Sequence, residues 1–372
     1  WSSDVCSSDL IVLYLAMLGA IGVYFSRRQK SLDEYFLAKQ SMAWLPVGLS
    51  LMAALDSAID YLMQPSATIR YGLVLLAGTS SWLFLYPWVA RVTLPFYRRL
   101  NYFTAYEYLE ARFDVRVRAL AALIFIVWRL GWMATAIYVP SLAISTATGG
   151  RIPITPLVLG LGALVTAYTA LGGIEAVIWN DVAQFVVRFG GLAAVVAIAA
   201  GSAGGFSKIW TIAREAGMTS AIAPPDFSSI RAFVTQPINV IAIVVSIVVG
   251  RMASYTSDQI MVQRLQTTKS LKAARQAFIV NAAGDAIWMF ALSFVGLALF
   301  AFFRTHPLPK DFETDKILPY FMSLTFPAGI VGLVIASIMA ASLSSVDSAI
   351  NSCTSVDRKS TRLNSSHVSE SR

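Results

Sequence analysis

Long apolar runs separated by short polar loops organise the chain, and nine of them read as membrane spans: about 10–25, 42–64, 71–96, 118–147, 153–171, 177–202, 235–258, 277–303 and 328–352. About 20 apolar residues cross the hydrocarbon core as a helix, which satisfies its backbone polar groups internally, so the pattern predicts an all-α polytopic membrane protein. Segment 101–115 (NYFTAYEYLEARFDV) is too charged to span and reads as an interfacial helix. Residues 203–232, with GG, PP and scattered charge, read as an external loop with one surface helix. Two spans lose their apolar character midway. The first carries Ser50, Asp56, Ser57, Asp60 and Pro65; the other decays through Arg251, Ser254, Thr256, Ser257 and Asp258. Irregular backbone at membrane depth is tolerated only where it lines a cavity or is buried in protein. Two interrupted spans, five helices apart, therefore predict an inverted-repeat transporter with a midplane site.

Composition removes the main alternative. Only 13% of the 372 residues are charged, against roughly 25% in soluble domains, and 56% are hydrophobic, with mean hydropathy +0.64. Such a chain cannot cover a water-facing surface, which excludes a soluble enzyme. The net charge of +8 sits in short loops rather than on a basic helix or aromatic-interleaved strand, so it speaks for membrane topology and against nucleic acid. One alternate set of loops holds Arg27, Arg28, Lys30 and Lys39, then Arg91, Arg98, Arg99, Arg112, Arg116 and Arg118, then Arg264, Lys269, Lys272 and Arg275. That set is read as cytoplasmic, placing the N-terminus outside a plasma (bacterial inner) membrane. Cys6, Cys353, His306 and His367 supply neither a disulfide framework nor a Cys/His metal site. Both ends, 1–9 and 359–372, are Ser-rich and aperiodic. They read as foreign tails on a truncated frame and stand outside the fold argument.

Ionisable groups at membrane depth are costly and mark function by default. Here they are Asp56, Asp60, Arg129, Asp181, Arg188, Arg251, Asp258, Asp285 and Asp347. The bland alternative is internal pairing: Arg251 with Asp60 or Asp285, and Arg129 with Asp56.

Four stretches carry a resemblance: YFSRRQKSLDEYFLAKQSMAWLPVGLSLMAA (24–54), YTALGGIEAVIWNDVAQ (168–184), SDQIMVQRLQTTKSLKAARQ (257–276) and ASLSSVDSAINS (341–352). With them the chain resembles the sodium:solute symporter family over about residues 11–357. The resemblance implies a LeuT-type inverted-repeat core with one extra N-terminal helix and an incomplete second repeat, ending after core helix eight. It divides the chain into a first helix and cytoplasmic loop (10–41), a first five-helix repeat (42–202), an external loop (203–234) and core helices six to eight (235–358).

It further implies sodium-coupled import of a small polar organic solute, with sodium as coupling ion, no cofactor, and the bilayer as surroundings; protein partners are left open. A sensor module or a proton-coupled relative is the alternative. The family's sodium ligands fall on the carbonyls of Ala53, Asp56 and Ala341 and the hydroxyls of Ser344 and Ser345. The A-x-x-S-S spacing puts the last three on one helical face; the alternative is that both serines bond back one turn. Asp181 falls near the ion pathway, or else caps a helix. The family's solute positions fall on Asp60, Thr79, Arg251 and Asp285, with Tyr255 as the shielding aromatic. Arg129 stands where acid-transporting relatives use an arginine. Asp285, where a cation would meet a sugar, speaks against glucose or galactose. Arg264 and Lys269 read as topology charges, Gly172-Gly173 as a tight turn, and Trp44, Trp82, Tyr86 and Trp88 as interface anchors.

Overall fold

The computed structural model describes residues 2–26, 32–100, 102, 104–147, 150–236, 238–309 and 312–370. Arg27, Arg28 and Lys30 of the first basic loop lie outside the described residues. Sixteen α-helices follow in order: α1 (Ser2–Ser26), α2 (Leu32–Leu37), α3 (Trp44–Leu55), α4 (Ala58–Tyr71), α5 (Ser81–Trp88), α6 (Leu94–Leu100), α7 (Glu107–Arg112) and α8 (Val115–Ala147), then α9 (Ile154–Ser202), α10 (Phe206–Glu215), α11 (Ile230–Thr235), α12 (Val240–Ser257), α13 (Gln259–Gln266), α14 (Leu271–Thr305), α15 (Ile317–Thr325) and α16 (Ala328–Glu370). Among the described residues a single isolated bridge, Met42 to Thr268, is the one extended pairing. Six helical stretches are long and apolar enough to cross a membrane, and the shorter apolar helices Leu13–Ser26, Trp44–Leu55 and Ile154–Ala170 match the other expected spans. The protein is a multi-pass membrane protein. Residues 2–9 and 359–370 of the polar ends set aside above continue α1 and α16 as helix.

Local chemistry explains the interruptions. α3 ends at Asp56, which is extended (φ −86, ψ 128), and Ser57 caps α4 by accepting from Ile59 N while the Asp60 carboxylate takes Ser57 N at 2.7 Å. That reciprocal capping box supplies the donors and acceptors a helix start needs inside the bilayer. α12 stops in the same way, at an extended Asp258 (φ −77, ψ 123) whose side chain caps α13. The 71–96 span is less regular than its apolar run suggests. Gly72 adopts φ 67, a 3-10 stretch covers Gly72–Ser80, and a π turn covers Val89–Thr93 just after Pro87, whose missing N–H breaks the helical ladder. At Gly173 (φ 61) the long α9 turns between its two apolar halves, a conformation only glycine takes without strain.

α16 is the central element, packed on α9, α8, α1 and α3, with Leu343 and Val346 fully buried; α14 packs along α3 and α4. Lipid gives no hydrophobic drive between helices, so close approach of small residues matters. A Cβ at Gly48 of α3 would lie 2.7 Å from both the Ala277 carbonyl oxygen and Val280 Cβ on α14. Gly48→Val is therefore expected to lower the detergent melting temperature by several degrees, from about 1–3 kcal/mol of overpacking. An unchanged melting temperature would mean that α14 has room to give way.

The basic loops converge at one end. Met42 N donates to Thr267 O (3.0 Å), Lys269 N to Met42 O (3.3 Å), Gln266 to Tyr102 O (2.9 Å), and Arg98 to Thr268 O. At the other end Leu73 N meets Met218 O (2.9 Å), and Val240 N meets Ala223 O (2.9 Å) at the start of α12. The two broken helices thus run in opposite directions.

Candidate functional site

A helix that stops leaves its last carbonyls without intrahelical partners. At the end of α3 the Asp56 N–H still reaches Met52 O (3.0 Å), but Ser57 N has turned to Asp60, so the Ala53 carbonyl is freed from the ladder. Ser344 of α16 fills the gap: its Oγ donates to Ala53 O at 2.9 Å and lies 3.2 Å from Ala341 O. Ser345 Oγ lies 3.4 Å from the same Ala341 carbonyl. Four neutral oxygens, on Ala53, Ala341, Ser344 and Ser345, therefore share one buried corner. Both serines bond back to Ala341, the alternative to ion ligation, and Ser344 also reaches α3 with the same hydroxyl. A hydroxyl that turns its proton away offers a lone pair instead, and uncharged oxygens suit a hard monovalent cation.

Asp56, the remaining expected oxygen donor, is engaged differently. Its carbonyl accepts from Arg188 Nη1 at 3.0 Å, and its carboxylate lies 3.4 Å from Arg188 Nη2. Arg129, the expected partner of Asp56, instead pairs with Asp258 at the second break. Its partner Asp258 lines an open groove of about 420 Å³ between α7, α8 and α12, together with Tyr106, Phe125, Trp128 and Ser254 among others.

Asp181 caps nothing: it sits about two turns past Gly173, inside the second half of α9. Its Oδ2 accepts from Ser50 of α3 and from Arg264 Nη2 (3.0 Å) of α13. Arg264 also bonds Ser348 of α16 and is fully buried, so it is an internal charge and not the topology charge its loop position suggested. Asp347, one residue before Ser348, faces the same pair and accepts from Tyr168 OH (3.3 Å). The guanidinium pairs with Asp181, and Asp347 lies nearby without an ion pair to it among the described residues.

The expected solute positions form a third group. Arg251 binds both oxygens of Asp285 at 2.9 Å, stacks 4.2 Å over the Trp82 ring, and reaches Ser81 Oγ at 3.3 Å. Trp82 Nε1 donates to Asp285 at 2.6 Å. Trp82 is thereby buried in the site and not at an interface, whereas Trp44 and Tyr86 are exposed as anchors should be. Tyr255 is fully buried, meets Trp82 and Phe278 edge-on, and receives Asn281 Nδ2. Asp60 is half-buried beside these charges but its described bond is the capping one. Thr79 sits in the 3-10 stretch, its hydroxyl bonded to Leu76 O at 2.6 Å.

Arg188 and Arg264 are the site residues that sequence reasoning underused. Asp181 and Arg188 are seven residues apart, two turns along one helical face, which was the available signal. Nothing local marked Arg264, because its partners lie on α3, α9 and α16.

Broken spans thus surround buried ion pairs and a neutral-oxygen corner in a multi-pass membrane protein. The profile of the sodium:solute symporter family matches residues 35–359, and the chain belongs to that family. It is 35% identical to the sodium/sialic acid symporter NanT of Aliivibrio fischeri, over 91% of this chain and 66% of that protein. Against the sodium-dependent multivitamin transporter of Oryctolagus cuniculus the figures are 32%, 95% and 57%. Among solved structures, a substrate-bound, outward-open sodium-coupled sialic acid symporter superposes with TM-score 0.88 at 32% identity, covering 95% of this chain and 74% of that one. A nucleobase-cation-symport-1 family transporter at 14% identity (TM-score 0.63, covering 87% and 69%) shares the fold alone. The chain spans about two thirds or less of the length of these curated relatives.

Proposed function

We propose that the chain forms the core of a sodium-coupled secondary symporter that imports a small polar organic solute by alternating access. The observation that carries this is the Ser344 hydroxyl of α16 lying on the freed Ala53 carbonyl at the break in α3. A cation held between those two elements stabilises one packing of α16 against α3, and so couples ion occupancy to conformation. Asp181 lies one helix away and orients the corner through Ser50 and Arg264.

On this reading 42–202 is the first repeat and 235–358 part of the second. The opposed directions of the broken helices support the inverted LeuT-type arrangement, and the convergence of the basic loops supports a cytoplasmic assignment with the N-terminus outside the plasma membrane. Arg251, Asp285, Tyr255, Asp60 and Thr79, together with Trp82, would line the solute site, with Arg129 on its cytoplasmic flank. A solute carboxylate can exchange with Asp285 on Arg251 without leaving the guanidinium unpaired.

The test is uptake by the chain in liposomes, with labelled sialic acid and lactate as first probes under inward sodium, potassium or proton gradients. Uptake driven by sodium alone supports the proposal; uptake indifferent to sodium but driven by protons replaces it with proton coupling. Arg251→Gln is expected to cut sodium-driven uptake at least about tenfold, the loss of a charged hydrogen bond, while sodium still raises the melting temperature. Ordinary uptake by that variant would remove Arg251 from the solute site. Loss of folded protein would make the Arg251–Asp285 pair structural.

A further inference from the structure

The break in α3 frees two carbonyls that concern an incoming ion, and they are held by different kinds of group. Ala53 O is held by a neutral hydroxyl; Asp56 O is held by the guanidinium of Arg188. Arg188 is buried, as is Asp56, and its charge lies 3.8 Å over the Trp288 ring. The α9 backbone is pinned at the same residue, because the Arg188 carbonyl accepts from Tyr61 OH (2.9 Å) on α4 and from Ser337 Oγ (2.9 Å) on α16. Only the Nη1 bond to Asp56 O is a well-formed hydrogen bond. Nη2, 3.4 Å from the Asp56 carboxylate, and Nε make no hydrogen bond among the described residues. A guanidinium prefers a two-pronged grip on a carboxylate, and here it spends its best contact on a neutral carbonyl instead.

We propose that Arg188 is a tethered cation that occupies the Asp56 carbonyl and holds sodium affinity down, acting as a positioning residue for the ion site. The proposal rests on the reading that sodium binds at the α3/α16 corner. An ion settling on Ala53, Ala341, Ser344 and Ser345 completes its shell with Asp56 O only when Arg188 leaves that oxygen. The Asp56 carboxylate beside it gives the guanidinium a place to go, so that the exchange leaves no buried charge unpaired. Until the exchange occurs, two like charges compete for one end of a helix in a low-dielectric setting. Arg188 then grips Asp56 through its side chain, and ion occupancy is transmitted to α9, α4 and α16 through the pinned backbone.

The experiment is a sodium titration of the melting temperature in detergent, with choline chloride holding ionic strength constant. The wild type is compared with Arg188→Lys, Arg188→Gln, Asp56→Asn, the double variant Asp56→Asn/Arg188→Gln, and Ser344→Ala/Ser345→Ala. Half-saturating sodium is expected to fall about tenfold in Arg188→Gln, where attraction from Asp56 is left unopposed, and to rise by a similar factor in Asp56→Asn. Arg188→Lys should stay near wild type, and the double variant should bind tighter than wild type. A structural role alone could only weaken binding. Should Arg188→Gln fail to fold, the charge-balanced double variant decides.

Half-saturating sodium within twofold of wild type in the double variant, with the serine variant insensitive to sodium, would overturn the role of Arg188 and leave the corner intact. A sodium shift that persists without the serines, or no sodium shift in any variant, would overturn the corner and with it this proposal.

Discussion

Arg264→Gln is expected to cost the protein most of its stability. The guanidinium is fully buried and bonds Ser50 (2.7 Å), Asp181 (3.0 Å) and Ser348, so four elements (α3, α9, α13 and α16) meet on one side chain. Removing it leaves Asp181 buried without its ion-pair partner, with the buried Asp347 nearby. Breaking a buried pair by deleting one partner costs about 3–5 kcal/mol, because the survivor keeps its desolvation penalty. That is a large part of the total stability of an ordinary fold. The expected readout is loss of the monodisperse peak on size-exclusion chromatography in detergent, or a melting temperature lowered by ten degrees or more. Asp181→Asn/Arg264→Gln, which removes both charges, should recover a substantial part of the loss. A single variant that melts within two degrees of wild type would mean that water or lipid headgroups reach this cluster.

Sodium is expected to raise the melting temperature relative to equal potassium, and Ser344→Ala/Ser345→Ala to abolish the difference. A ligand that binds only the folded state stabilises by RT ln(1 + [L]/Kd), about 1.4 kcal/mol at tenfold excess. The double substitution takes away two of the four oxygens at the corner and leaves the Ala53 and Ala341 carbonyls in place. It introduces no charge, so the apo protein should lose only the net worth of two hydroxyl bonds, about 1 kcal/mol each. The contrast between small apo loss and complete loss of the sodium increment identifies an ion site. Equal sodium responses in both proteins would move the coupling ion elsewhere, and the acid cluster around Asp181 and Asp347 would be the next place to substitute.

The spans, the two breaks and the helix in the 203–232 loop could all be read from the chain without a structure, because each is set by chemistry within a few residues. An apolar run long enough to cross hydrocarbon must be helical. Ser57 and Asp60 make a capping box, and Gly173 takes a left-handed turn, whatever lies beyond them. The meeting of Ala53 with Ser344, 291 residues apart, followed from family resemblance and not from local pattern. Irregularities inside the 71–96 span were less legible, since Gly72 and Pro87 occur within an unbroken apolar run.

The pairing of buried charges is where sequence reasoning stopped. Membrane depth obliges Arg129, Arg188 and Arg251 each to find a carboxylate, and that obligation is plain in the sequence. The partners are not. Arg129 takes Asp258 and Arg188 takes Asp56, where pairing Arg129 with Asp56 was the natural guess; Arg264 leaves the basic loop set to join Asp181. Only Arg251 with Asp285 was among the pairs foreseen. The apolar spans, the two breaks and the need for charge compensation were thus determined by the sequence alone, through local hydration and capping. Which carboxylate meets which guanidinium was decided by tertiary structure, because a Coulomb partner is chosen by distance across packed helices, and that distance is set by how α3, α9, α13 and α16 stack.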